Sequence, residues 1–179
     1  MASDIKDGIL IVNKPEGISS ARVVSRVKKL LGAKKVGHTG TLDPFATGVL
    51  PCAVNKGTRI SRFFLGGDKQ YLAKICLGSE TETYDRTGDI SRSYPESAVE
   101  NLSVGTVRKA VASFKGVQDQ VPPVYSALKQ DGQPLYKLAR QGKAVRKPAR
   151  QIEISRIEVR SVALPYVDID VTCSGGTYI

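Results

Sequence analysis

The residues best suited to chemistry lie in one run, Gly37-His38-Thr39-Gly40-Thr41-Leu42-Asp43-Pro44. Its glycines let backbone approach a ligand closely and take positive φ values. His38 is the single histidine of the chain, and its flat ring can stack on a base or donate a hydrogen bond. Asp43 precedes a proline, which disfavours the helical region for it and holds it extended. A carboxylate fixed in a glycine-rich loop could serve as nucleophile or base. The same residues also fit an Asx-turn aspartate beside a solvated histidine. Composition by itself favours that plainer reading.

Other catalytic arrangements are excluded by what is missing. There is no Walker loop, no Gly-x-Ser-x-Gly elbow and no His-Glu-x-x-His. The one dense acidic group, Glu80, Glu82, Asp85 and Asp89, reads as a solvated loop rather than a metal cluster. Cys52, Cys76 and Cys173 are far apart and include no Cys-x-x-Cys, so zinc is not expected and reduced thiols of a cytoplasmic protein are. Residues 1–7 lack the apolar run of a signal peptide, and no stretch reaches transmembrane length.

Charge points to a polyanion. The net charge is +10, unevenly spread: residues 1–67 hold 11 basic against 4 acidic side chains, and residues 106–151 hold 10 against 2. Two such regions can fold into one positive face. General solubility would account for the same charge.

Around the run, Gly8 to Asn13 reads as a short buried strand ended by the turn Lys14-Pro15-Glu16-Gly17. Ser19 or Ser20 caps a helix to about Leu31, with Val23, Val24, Val27, Leu30 and Leu31 on one face and Gly32 as its stop. Residues 33–48 form an ordered loop, and Val49 to Val54 a strand in spite of Pro51. Gln70 to Leu77 is a strand, Gly78 to Asp89 a polar segment, Val104 to Phe114 a helix, and Pro134 to Arg140 a short helix. Gln151 to Val159 is strand-like with a slip near Ser155-Arg156. Val167 to Cys173 alternates as a half-exposed strand. The fold class is α+β, with a mixed, largely antiparallel sheet flanked by helices and loops. The turn Ser174-Gly175-Gly176-Thr177-Tyr178 leads to Ile179, which suggests that 1–179 is one incomplete domain.

Five segments, in order, resemble the TruB family of tRNA pseudouridine synthases. They are Asn13-Lys14-Pro15-Glu16-Gly17-Ile18-Ser19-Ser20, the run Gly37 to Pro44, Lys69-Gln70-Tyr71, Pro123-Val124-Tyr125-Ser126-Ala127-Leu128-Lys129, and Gly176-Thr177-Tyr178-Ile179. The second is the most specific. The resemblance implies a pseudouridine synthase fold and isomerisation of uridine 55 in the T loop of tRNA, with no metal or other cofactor. It makes Asp43 the essential carboxylate, whether by attack on the ribose, attack on the uracil ring or a glycal route. It also implies that the target base is flipped out, with His38 filling the vacated space and Tyr71 and Tyr178 lining the uracil pocket.

The run from Lys137 to Arg150 resembles an insertion that closes over the T loop. Lys137, Arg140, Lys143, Arg146 and Lys147, with Arg150, would contact phosphates. Asn55-Lys56-Gly57-Thr58-Arg59 departs from the family's Gly-x-Ala-Thr-Lys but keeps a cationic end. Family members continue beyond Thr-Tyr-Ile with an arginine that pairs with the aspartate, the rest of the catalytic fold and a small RNA-binding, PUA-like domain. The expected partner is the tRNA T stem-loop, with no membrane and no obligate protein partner, for a cytoplasmic monomer. The Tyr125 to Lys129 segment favours the standalone enzymes over the guide-RNA-dependent relatives. An RNA-binding module without catalysis is the third reading.

Overall fold

A computed structural model describes residues 7–179, which form two compact units that divide between Gly67 and Asp68.

In the first unit, β1 (Gly8–Lys14) leads into α1 (Ser20–Leu30), β2 (Val36–His38) and β3 (Gly48–Val54), followed by a 3-10 turn at Asn55–Arg59 and the short α2 (Arg62–Leu65). Ser19 caps α1, its hydroxyl accepting from the Arg22 N–H at 3.3 Å, and Gly32 ends it with φ +57°. Val23 and Val27, one helical turn apart, are buried with Ile18 against Leu50 and Cys52 of β3. Leu30, expected on this face, is 83 % exposed as the last helical residue; Leu31 at the C-cap packs in its place.

The strands form an antiparallel sheet in the order β1-β3-β2. The β1 strand is less buried than its apolar run suggests. It lies at the sheet edge with alternate residues facing opposite ways, so Ile11 is exposed while Val12 packs toward α1. Pro51 sits in the central strand without breaking it. Its carbonyl accepts from Thr39 just past the end of β2, so its missing N–H falls where the ladder has stopped.

The second unit contains β4 (Lys69–Cys76), β5 (Ser79–Thr81), β6 (Ile90–Ser93), α3 (Glu96–Glu100), α4 (Val104–Ala112), β7 (Gly116–Gln120), β8 (Lys129–Gln130), β9 (Gln133–Pro134), α5 (Leu135–Arg140), β10 (Arg150–Ala163) and β11 (Tyr166–Cys173). Its main sheet has the order β4-β11-β10-β7. Val107 and Val111 of α4 bury themselves on Ile152, Ile154, Val167, Ile169, Val171 and Cys173. The slip expected at Ser155 is a register shift between Ile154 and Arg156, and a second follows between Val159 and Ser161.

Two local features differ from expectation. The acidic segment folds into the β5–β6 hairpin, whose turn is knit by Asp85 Oδ1 accepting from the Thr83 hydroxyl and from the Thr87 N–H and hydroxyl. Asp170 is not half-exposed: it is 7 % exposed, taking a hydrogen bond from Gln70 at 2.8 Å with Arg160 and Arg156 beside it at 3.5 and 3.9 Å. An acid on a central strand stays buried only with such partners. The class is α+β, and every strand pairing among the described residues is antiparallel. No helix among them is long and apolar enough to cross a membrane.

Candidate functional site

The first unit carries His38 and Asp43 on one stretch of chain: His38 ends β2, and Asp43 lies in the loop that runs from there to β3. The loop has little regular structure, so its shape depends on individual bonds. Thr39, buried, donates its N–H to Pro51 at the start. On the residue before Asp43, the buried Ser20 hydroxyl donates to the Leu42 carbonyl at 2.8 Å and accepts from the Leu42 N–H at 2.9 Å. On the residue after it, the Pro44 carbonyl accepts from the Gly17 N–H at 2.7 Å and from Lys14 Nζ at 3.1 Å. Asp43 is therefore fixed from both sides while it faces solvent.

Lys14 organises this corner. It is wholly buried, and its ammonium spends its three donors on the carbonyls of Pro15, Ile18 and Pro44 at 2.9, 2.7 and 3.1 Å. Burial pulls its pKa below the usual lysine value, opposed by the negative charges of Asp43 and Glu16. Gly17 can deliver its N–H to Pro44 because the turn takes φ +79° there. His38 places Nδ1 in a buried position with no hydrogen-bond partner among the described residues. Burial also raises the Cys52 thiol, opposite His38 in the ladder, which keeps it neutral.

The remaining expected residues belong to the second unit. Tyr71 lies in β4 opposite Val171, half-buried against the core. Tyr178 follows β11 and is bound through its backbone to Gln120 of β7, at the other edge of the sheet from β4. Lys137 and Arg140 are exposed on α5, and Lys143 and Arg146 are exposed in the irregular segment after it. Lys147 is less available, since its ammonium is bonded to the Gln130 side chain at 2.5 Å. Arg150 lies with its guanidinium over the Tyr178 ring.

Residues 28–179 match the family described as TruB family pseudouridylate synthase (N terminal domain). The chain belongs to the TruB family. It is 46 % identical over 173 residues to tRNA pseudouridine synthase B of Bordetella avium, covering 97 % of this chain and 70 % of that protein. Identity is also 46 % to the Geobacter sulfurreducens protein of the same name, of which the chain covers 56 %. The chain thus spans little more than half the length of several of the TruB proteins it matches. A solved Cbf5-Nop10-Gar1 complex contains a chain with the same fold, at TM-score 0.61 and 27 % identity, covering 98 % of this chain and 51 % of that one.

Residue types and spacing single out Asp43 and His38 as candidates but not the two groups that hold the loop, Lys14 and Ser20. Both stand inside the first family-like segment, and that segment was the available signal. Among the described residues no cluster of His, Cys, Asp and Glu is arranged to hold a metal ion.

Proposed function

We propose that this chain converts uridine in tRNA to pseudouridine, acting on uridine 55 of the T loop with Asp43 as its essential carboxylate. The observation that carries the reading is the exposed Asp43, pinned on either side by Ser20 and by the Lys14–Pro44 contact, in a chain of the TruB family. The bond from N1 of uracil to C1′ of ribose breaks, and a bond from C5 to C1′ forms. C5 gives up its proton to solvent and N1 takes one, so the reaction is redox-neutral and needs no second substrate. A rigidly held carboxylate suits attack on C1′ or on the ring, or removal of a proton along a glycal route.

The target base is stacked within a folded loop and must be flipped out to react, at a cost of about a few kcal/mol. His38 fills the space that the nucleotide leaves, and its place at the end of β2, on the same stretch of chain as Asp43, supports that role. Tyr71 and Tyr178 line the uracil pocket. Lys137, Arg140, Lys143 and Arg146 bind phosphates, with Lys147 contributing less because of its bond to Gln130.

The test is release of tritium from tRNA labelled at C5 of uridine. Release from the T loop is expected with the native chain. Absence of release from any uridine with folded protein would refute the enzymatic reading, and release from another position alone would refute the T-loop assignment.

A further inference from the structure

Tyr178 is held by neighbours from β7 and β10. Gln120, the last residue of β7, uses both ends of its carboxamide on the Tyr178 backbone. Its Nε2 donates to the Tyr178 carbonyl at 2.8 Å, and its Oε1 accepts from the Tyr178 N–H at 2.9 Å. These are the two bonds that an adjacent strand would supply, delivered here by one side chain.

Directly across the β7–β10 ladder from Gln120 stands Arg150. Its guanidinium lies 5.1 Å from the centroid of the Tyr178 ring. Gly176 makes room for it. A Cβ at Gly176 would come within 3.3 Å of an Arg150 terminal nitrogen, and the backbone there takes φ +88°. Ser174 anchors the start of the turn to β10, donating its N–H to the Glu153 carbonyl at 2.8 Å and accepting from the Glu153 N–H at 3.0 Å.

We propose that Gln120 and Arg150 are positioning residues for the uracil pocket. Gln120 fixes the backbone from which the Tyr178 ring projects. Arg150 occupies one face of that ring, which leaves the opposite face for the base. The inference rests on the pocket role given to Tyr178 above, and it takes Arg150 out of the phosphate-binding set.

The clamp can be read apart from activity by placing 3-fluorotyrosine at position 178 and recording its 19F signal. The parent is expected to give one resonance displaced from that of free 3-fluorotyrosine. Gln120→Glu keeps the acceptor but sets a carboxylate oxygen against the Tyr178 carbonyl. Arg150→Lys keeps the charge but loses the planar stack. Both substitutions are expected to move the resonance toward the free value. Each should also lower the single-turnover rate of pseudouridine formation by about tenfold, since small misplacements carry costs of that order. RNA affinity should change less than about twofold, in keeping with a role outside phosphate binding, and neither substitution should lower the rate further in a Tyr178→Ala background.

An unmoved resonance in both variants overturns the proposal, as does a rate loss that persists in full without the Tyr178 ring. Arg150→Lys that weakens RNA binding while leaving the resonance in place returns Arg150 to phosphate contact and overturns its assignment. If the resonance moves but Tyr178→Ala retains the parental rate, the clamp stands and the pocket role of Tyr178 falls.

Discussion

The Ser20 hydroxyl meets the Leu42 backbone twice, donating to its carbonyl at 2.8 Å and accepting from its N–H at 2.9 Å. One buried oxygen thus satisfies both polar groups of the residue that precedes Asp43. Ser20→Ala removes both bonds and leaves the Leu42 groups without them, which should cost about 1–3 kcal/mol of stability. The rate of pseudouridine formation should fall further than the fraction of unfolded protein explains. Urea unfolding alongside single-turnover rates at a temperature where both proteins are folded would check this.

Lys14→Met removes a donor from three carbonyls, of which the contact to Ile18 is buried and those to Pro15 and Pro44 are part-buried. The expected destabilisation is about 1–3 kcal/mol, since the buried Ile18 carbonyl is left unpaired while Pro44 keeps the Gly17 N–H. Lys14→Arg should not restore it, because a planar guanidinium does not reproduce one ammonium donating to three convergent carbonyls. Thermal unfolding of the two variants tests both statements.

The depressed pKa of Lys14 gives its contribution to stability a defined sign. In the window between its folded value and the ordinary 10.5, the unfolded chain binds the proton that the folded chain has released. Stability therefore gains with rising pH across that window, and the gain levels off above 10.5. Below it, the cost of burying the charge is carried in full. Denaturant unfolding of the native chain and of Lys14→Met should differ by an amount that grows with pH up to about 10.5.

Replacing Lys137, Arg140, Lys143 and Arg146 by alanine should weaken RNA binding and flatten its dependence on salt. Each lost phosphate contact reduces the slope of log affinity against log salt by roughly 0.7–0.9. Lys147→Ala should alter the slope less, since that ammonium is bonded to Gln130. Filter binding of a T stem-loop RNA across a salt series measures both.

Local rules made much of the fold legible. Ser19 and Gly32 bound α1 as capping chemistry requires, and the broken alternation in β10 located its bulge at Ser155. Patterns that depend on neighbours were not legible. Nothing in the run Gly8 to Asn13 reveals that β1 sits at an edge, and nothing in Asp168-Ile169-Asp170 reveals that Gln70, Arg156 and Arg160 converge on Asp170. The hairpin at Ser79–Thr81 and Ile90–Ser93 was hidden because the bonds to Asp85 that knit its turn resemble, in sequence, a solvated acidic loop. At the candidate site the residue types of the Gly37–Pro44 run were visible, but their fixation was not. Lys14 and Ser20 act from about thirty and twenty residues away through backbone carbonyls and amides, which leave no trace in residue type.

The most direct test of the account is single-turnover tritium release from tRNA labelled at C5 of uridine, comparing the native chain with Asp43→Asn. Asp43→Asn keeps the size and shape of the side chain, and urea unfolding of both proteins fixes a temperature at which each is folded. Release is predicted to fall by about a thousandfold or more, as expected for loss of the group that performs the chemistry. A folded Asp43→Asn protein that releases tritium at the native rate would contradict the account.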